Sequence, residues 1–135
     1  MFVDACAIVS LFVSEPDADA YDEALTKASE PFTSALAVWE AVLILARPEK
    51  LEAPLPDTLG AVMQWLRERK IELRDAQASP AEILSLAISV AVQQGVGKKR
   101  LSSFDCFHYA HAKAAGAPIL TNDRLLRATD VAVAP

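Results

Sequence analysis

The chain has few of the residues that cross-link small folds or bind soft metals, with two cysteines and two histidines among 135 residues. Cys6 and Cys106 lie a hundred positions apart and form neither a metal knuckle nor a disulfide framework. A reducing, cytoplasmic setting is the expectation. Long hydrophobic runs are also missing. None reaches the roughly 18 residues that would span a bilayer, and the longest candidate, around Leu36–Ala46, is broken by Glu40. The N-terminus has no basic segment leading into an apolar stretch, because Asp4 and Glu15 interrupt it, and this argues against a secretory signal. Internal repeats and low-complexity linkers are absent, and the length suits a single domain over residues 1–135.

Positive charge is scarce in the first half. Residues 1–66 carry three basic and eleven acidic side chains, a net of −8, whereas residues 67–135 carry ten and seven, a net of +3. The overall −5 therefore hides a second half that could meet a polyanion. Solvated helix faces would produce the same split, so charge alone leaves both readings open.

What the chain does have is apolar content, 53% of its residues, enough to form a packed core. Met1–Asp4 is a short apolar run ending in an acid, and helical spacing follows through Val13. Pro16 suits the first turn of a helix reaching about Ala28. Pro31–Ser34 predicts a second strand, with Ser34 capping a helix to about Ala46. Asp57 opens an amphipathic helix with Leu59, Val62, Met63 and Leu66 on one face, and Ile71–Leu73 a third strand. Ser79-Pro80-Ala-Glu82 is a capping box that starts a helix ending at Gln94, before Gly95. Ser102 or Ser103 caps a helix through Ala115. Pro118–Thr121 is a fourth strand, Asn122–Leu126 a helical turn and Val131–Val133 a fifth strand. The alternation indicates a mostly parallel sheet of four or five short strands with helices on both faces.

In such sheets, ligands bind outside the carboxyl ends of the strands. Asp4 ends the first strand, Asp123 follows the fourth, Glu40 lies in the second turn of the helix after the second strand, and Asp105 opens the helix leading into the fourth. One acid at a helix N-terminus is unremarkable. Four meeting at one edge need a counter-charge, and a divalent metal is the simplest.

These residues resemble a known family. Phe2-Val-Asp4-Ala-Cys-Ala-Ile8 is similar to the opening motif of PIN domains, and Ser34-Ala-Leu-Ala-Val-Trp-Glu40 to their second. Phe104-Asp105-Cys-Phe-His-Tyr-Ala110 and Gly116-Ala-Pro-Ile-Leu-Thr121-Asn-Asp123 resemble the third and fourth. The resemblance spans almost the whole chain and is greatest to VapC-like toxin ribonucleases of toxin–antitoxin pairs. It implies a small three-layer PIN fold, endoribonuclease activity dependent on Mg²⁺ or Mn²⁺, a cognate antitoxin, and a homodimer or higher-order toxin–antitoxin assembly. It also implies that Asp4, Glu40 and Asp105 form the metal-binding core, with Asp123 as fourth acid and Thr121 shaping that corner. The family often has Ser or Thr where this chain has Cys6, and a thiol is a poor ligand for a hard cation and a weak donor.

The chemistry is consistent with that implication. Phosphodiester hydrolysis needs an activated water and stabilised phosphoryl charge, which hard cations supply. Asp4 and Asp105 are the expected direct ligands, Glu40 a ligand through water or the group positioning the attacking water, and Asp123 part of a second position formed with RNA. Lys98, Lys99 and Arg100 precede the helix of Asp105, and Arg124 and Arg127 follow Asp123, placed to contact RNA phosphates or simply solvated. His108, three residues after Asp105, is expected as a polar neighbour of the site or a surface residue, with a softer-metal Asp-x-x-His pair as the alternative. Trp39 and Trp65 are candidates for base stacking or for packing, and the apolar Leu36–Leu45 segment for a partner-binding face. Two other functions compete: an antitoxin- or RNA-binding protein with weak or no catalysis, and a phosphotransfer enzyme with Asp4 as nucleophile.

Overall fold

The computed structural model describes residues 1–135. In chain order the elements are β1 (Phe2–Val3), α1 (Ala5–Val13), α2 (Ala18–Thr26), β2 (Phe32–Thr33) and α3 (Ala35–Leu45). There follow α4 (Leu55–Glu68), β3 (Glu72–Leu73), α5 (Pro80–Gln94), α6 (Ser103–Ala114), β4 (Ile119–Leu120), α7 (Arg124–Arg127) and β5 (Val133–Ala134). The five strands form one sheet in the order β3-β2-β1-β4-β5, and every pairing is parallel. The α/β class with helices on both faces is as the sequence indicates.

Two-residue periodicity in the strands sorts the core into two layers. Val3 and Leu120 face a cluster built from α1, α2, α3 and α4, including Ile8, Tyr21, Val42, Leu45 and Leu66. Their neighbours Phe2 and Ile119 face the other way, with Phe32, against α5 and α6 through Ile83, Val90, Tyr109 and Ala110. α3 serves both layers: Ala37 packs with the second, and Val38, Ala41, Val42 and Leu45 with the first. That bridging position lets its acidic residue reach α6.

Strand order reverses between β1 and β4, since β2 and β3 lie to one side and β5 to the other. A crevice at the carboxyl ends of strands arises at such a switch point. Asp4 leaves β1 and Thr121 leaves β4 there, in adjacent register, with Val3 opposite Leu120.

Several boundaries differ from the sequence reading, among them α7, which begins at Arg124 rather than Asn122 because Asp123 caps it. α2 runs from Ala18 to Thr26, so Pro16 lies ahead of it rather than in its first turn; Asp17 holds the N-cap position without a side-chain cap bond, its carboxylate accepting from Ser10 Oγ and Asn122 Nδ2. α4 begins at Leu55, since Pro56 fits a first turn, and Asp57 adds its charge within that turn. The last strand is Val133–Ala134, its ladder set by Ile119 N–H to Ala132 O and Thr121 N–H to Ala134 O. Of the α4 face expected from Leu59, Val62, Met63 and Leu66, Val62 and Leu66 are buried and Met63 packs against the core, whereas Leu59 is exposed; Leu59 and Met63 also line a groove.

Candidate active site

Asp4 is the N-cap of α1 and is almost wholly buried. Its Oδ1 accepts the Ala5 N–H at 2.7 Å, and its Oδ2 accepts the Thr121 hydroxyl at 2.7 Å. Cys6 Sγ stands 3.1 Å from both Asp4 Oδ2 and Thr121 Oγ1. Thr121 gives its only proton to Asp4, so the thiol is the donor in either contact. A carboxylate has about four lone-pair sites, and the engaged ones leave room on Oδ1, where His108 Nε2 lies 3.6 Å away.

Thr121 ties Asp4 to Asp123. While its hydroxyl donates to Asp4, the same oxygen accepts the Asp123 N–H at 3.1 Å. Asp123 caps α7, its Oδ1 accepting the Leu125 N–H at 2.6 Å. Asp105 is the third residue of α6 and closes a capping box with Ser102. Its Oδ2 accepts the Ser102 N–H at 2.6 Å, and Ser102 Oγ accepts the Asp105 N–H at 3.1 Å. Burial, with the negative charge of Asp123 and Asp4, outweighs these bonds and holds the Asp105 carboxyl above the usual carboxylate range.

Glu40 projects from α3 as a half-buried side chain, and its Oε2 lies 2.8 Å from His108 Nε2. A carboxylate opposite Nε2 places the imidazole proton there, and Nδ1 is buried without a partner. Burial alone would lower the His108 pKa; the Glu40 bond and the charges of Asp4, Glu40 and Asp105 raise it instead. His108 is fully buried, so it is not the surface residue considered from the sequence.

The structure thus draws Asp4, Glu40, Asp105 and Asp123 to one edge, through Thr121, through His108 and through mutual charge. No Lys or Arg ion pair involves any of them. An all-oxygen set without cationic neutralisation suits Mg²⁺ or Mn²⁺. The His, Cys, Asp and Glu side chains form no ready-made cage of three or more. Mg²⁺ retains several waters and takes only one or two carboxylates plus substrate phosphate, so a sparse site fits it.

Cys6 serves as a donor here. Burial and the Asp4 charge push its thiol up to about 12, which keeps the proton on sulfur. Tyr21 closes the back of this corner with its hydroxyl 3.8 Å from Cys6 Sγ. Cys6 and Cys106 are both free thiols.

The basic residues divide. Lys98, Lys99 and Arg100 are exposed in the α5–α6 connection, ahead of the turn that carries Asp105. Arg100 lies across Gly95, whose φ of +77° and lack of a Cβ admit the crossing. Arg124 is exposed at the start of α7. Arg127 is committed elsewhere, donating to the carbonyls of Thr121 and Pro135, which removes it from the expected rim. Trp65 packs on Phe12 and beneath Arg69. Trp39, beside Glu40, is half-exposed and lines an apolar groove of about 560 Å³ between α3 and α4 with Val38, Val42, Leu55, Leu59 and Met63. The Asp105–Ser102 box and the His108–Glu40 link were not identified from the sequence. The first is visible in the Ser-x-x-Asp spacing, and the second has only the i+3 relation of His108 to Asp105.

Comparison with known proteins agrees with this architecture. The family model described as "PIN domain" matches residues 1–132. Ribonuclease VapC of Mycolicibacterium smegmatis is 29% identical over 98% of both chains. Ribonuclease VapC30 of Mycobacterium tuberculosis is 27% identical over 98% of this chain and 96% of its own. Among solved structures, VapBC-1 from nontypeable Haemophilus influenzae superposes with a TM-score of 0.66 at 13% identity, covering 98% of this chain and 94% of that one. With its strand order, its acids at the switch point and a family match over nearly its whole length, the chain belongs to the PIN-domain family.

Proposed function

We propose that the chain is a divalent-metal-dependent endoribonuclease that hydrolyses RNA phosphodiester bonds and acts in the cytoplasm as the toxin of a toxin–antitoxin pair. The observation that carries this reading is the convergence of four acids, linked by Thr121 and His108, with no Lys or Arg to neutralise them. The two ribonuclease relatives and the family match support it. Asp4 and Asp105 would hold Mg²⁺ or Mn²⁺, with Asp123 completing a second position when RNA is present. A bound hard cation supplies water activation near neutral pH and neutralises phosphoryl charge. Glu40 faces the same cation, as a ligand through water or as the group that positions the attacking water, and Thr121 and Cys6 keep Asp4 in its rotamer. Lys98, Lys99, Arg100 and Arg124 contact the RNA backbone. No helix is long and apolar enough to cross a membrane.

The antitoxin, in this reading, occupies the α3–α4 groove, where the position of Trp39 next to Glu40 places an apolar occupant beside the acids. A second copy meets the exposed Leu84, Ile88 and Val92 stripe of α5. From Ile83 to Gly97 the chain carries no charge, and an antiparallel mate would set Glu82 against Lys98 and Lys99.

The test is cleavage of a broad RNA panel with Mn²⁺. Wild type should cut; Asp4→Ala and Asp105→Ala should lose about 100-fold or more while keeping their circular dichroism. Chelation should abolish the wild-type activity. A folded wild type that cuts nothing in the panel yet binds its antitoxin would favour the binding-only reading. Leu59→Glu should escape antitoxin inhibition with cleavage intact, and Ile88→Glu should lower the sedimenting mass; failure of either removes that surface from the proposal.

A further inference from the structure

We propose that His108 is a positioning residue for Glu40, holding its carboxylate beside Asp4 so that both face one cation; this rests on the metal-dependent reading above. Glu40 has no other hydrogen-bonding partner, and Nε2 of His108, 2.8 Å from Glu40 Oε2, alone fixes where that carboxylate points. The same nitrogen is 3.6 Å from Asp4 Oδ1, so one imidazole edge spans the first two acids.

The position is costly for a histidine. Its ring is fully buried, tilted 5.7 Å from Phe2, whose layer is apolar and includes Phe32, Ile83 and Ala110. Nδ1 has no partner, which leaves a polar atom desolvated. An aliphatic side chain would fill that space without either cost. What the imidazole provides and an aliphatic side chain does not is an N–H aimed at Glu40 from a helix anchored on the other side of the sheet. Glu40 otherwise sits on a flexible stem, and restricting it before the cation arrives lowers the ordering cost of binding. α6 thereby contributes twice to the site, with Asp105 in its first turn and His108 one turn later.

Mn²⁺ titration by calorimetry on the full chain tests this without RNA, alongside thermal melting. His108→Leu should bind Mn²⁺ about 10-fold more weakly with a melting temperature at or above that of wild type. His108→Gln, whose amide N–H can reach Glu40, should recover most of the affinity. In a cycle with Glu40→Ala, the His108→Leu loss should vanish, because the group it positions is gone. In cleavage assays at saturating Mn²⁺, His108→Leu should lower kcat with little change in KM. Unchanged Mn²⁺ affinity in His108→Leu, or an equal loss on the Glu40→Ala background, would overturn the proposal while leaving the metal site standing. If wild type itself binds no Mn²⁺, the metal-dependent reading falls and this inference with it.

Discussion

Cys6 shows how a single atom can look disabling in a sequence and be accommodated in a fold. Sulfur is a weak hydrogen-bond donor, yet 3.1 Å to both Asp4 and Thr121 is close for it, and burial keeps the proton in place. Its work is to hold Asp4, so a hydroxyl should replace it and a methyl should not. Cys6→Ser is expected to retain Mn²⁺ affinity and cleavage within a few-fold. Cys6→Ala leaves Asp4 Oδ2 with Thr121 alone and should lose roughly 10-fold in each. Parallel calorimetry and cleavage assays check this, and equal behaviour of the two variants would show the thiol to be mere filling. At this scale the sequence is only partly legible. Asp4 and Asp123 can be picked out because they follow strands, and Glu40 and Asp105 because they stand in motifs that resemble those of the family. The burial of His108 cannot, because it depends on α3 lying close to α6 across the edge of the sheet, a relation between residues 68 positions apart.

Helix capping links element stability to the site. α5 and α6 open with the same device, Ser79 with Glu82 and Ser102 with Asp105, each serine accepting from the third residue and each acid accepting from the cap N–H. The boxes are matched in geometry and differ in that Asp105 belongs to the acidic cluster. Ser79→Ala and Ser102→Ala should each cost about 1 kcal/mol of stability in urea denaturation. Only Ser102→Ala should also weaken Mn²⁺ binding, because it releases the turn that aims Asp105. Equal Mn²⁺ affinity in the two variants would separate capping from the site. Sequence patterns predict elements best where such local chemistry is strong: Pro80–Gln94 is bounded by a capping box and Gly95, and it falls where the sequence places it. They predict worst where an acid has two possible uses. Asp57 looks like a cap but lies inside a helix begun by Leu55, and Asp17 stands at the start of α2 while its carboxylate is held by Ser10 and Asn122.

For the whole molecule, the parallel order β3-β2-β1-β4-β5 collects acids from four separate segments at one edge of a chain whose net charge is −5. A polyanion approaching such a body needs local positive charge, and the connection between α5 and α6 supplies it. Lys98, Lys99 and Arg100 form no ion pair, in contrast to Lys27, Lys50, Arg69, Arg74 and Lys113, each held by a carboxylate. A cation already paired within the protein has less to gain from a phosphate than one exposed to solvent. Single-stranded nucleic acid binding weakens with salt by a slope of about −0.7 per phosphate neutralised. If all three residues contact the backbone, the Lys98→Gln, Lys99→Gln, Arg100→Gln triple variant should flatten log K against log salt by about 2. Arg124→Gln should flatten it by about 0.7. Lys27→Gln, whose partner is Glu23 in the acidic half of the chain, should leave the slope alone. The measurement is fluorescence anisotropy of a labelled single-stranded RNA with Asp4→Ala as the common background, so that cleavage does not interfere. A triple variant with the slope of its parent would assign the basic loop to solvent, and RNA would then have to be held by other groups around the acids.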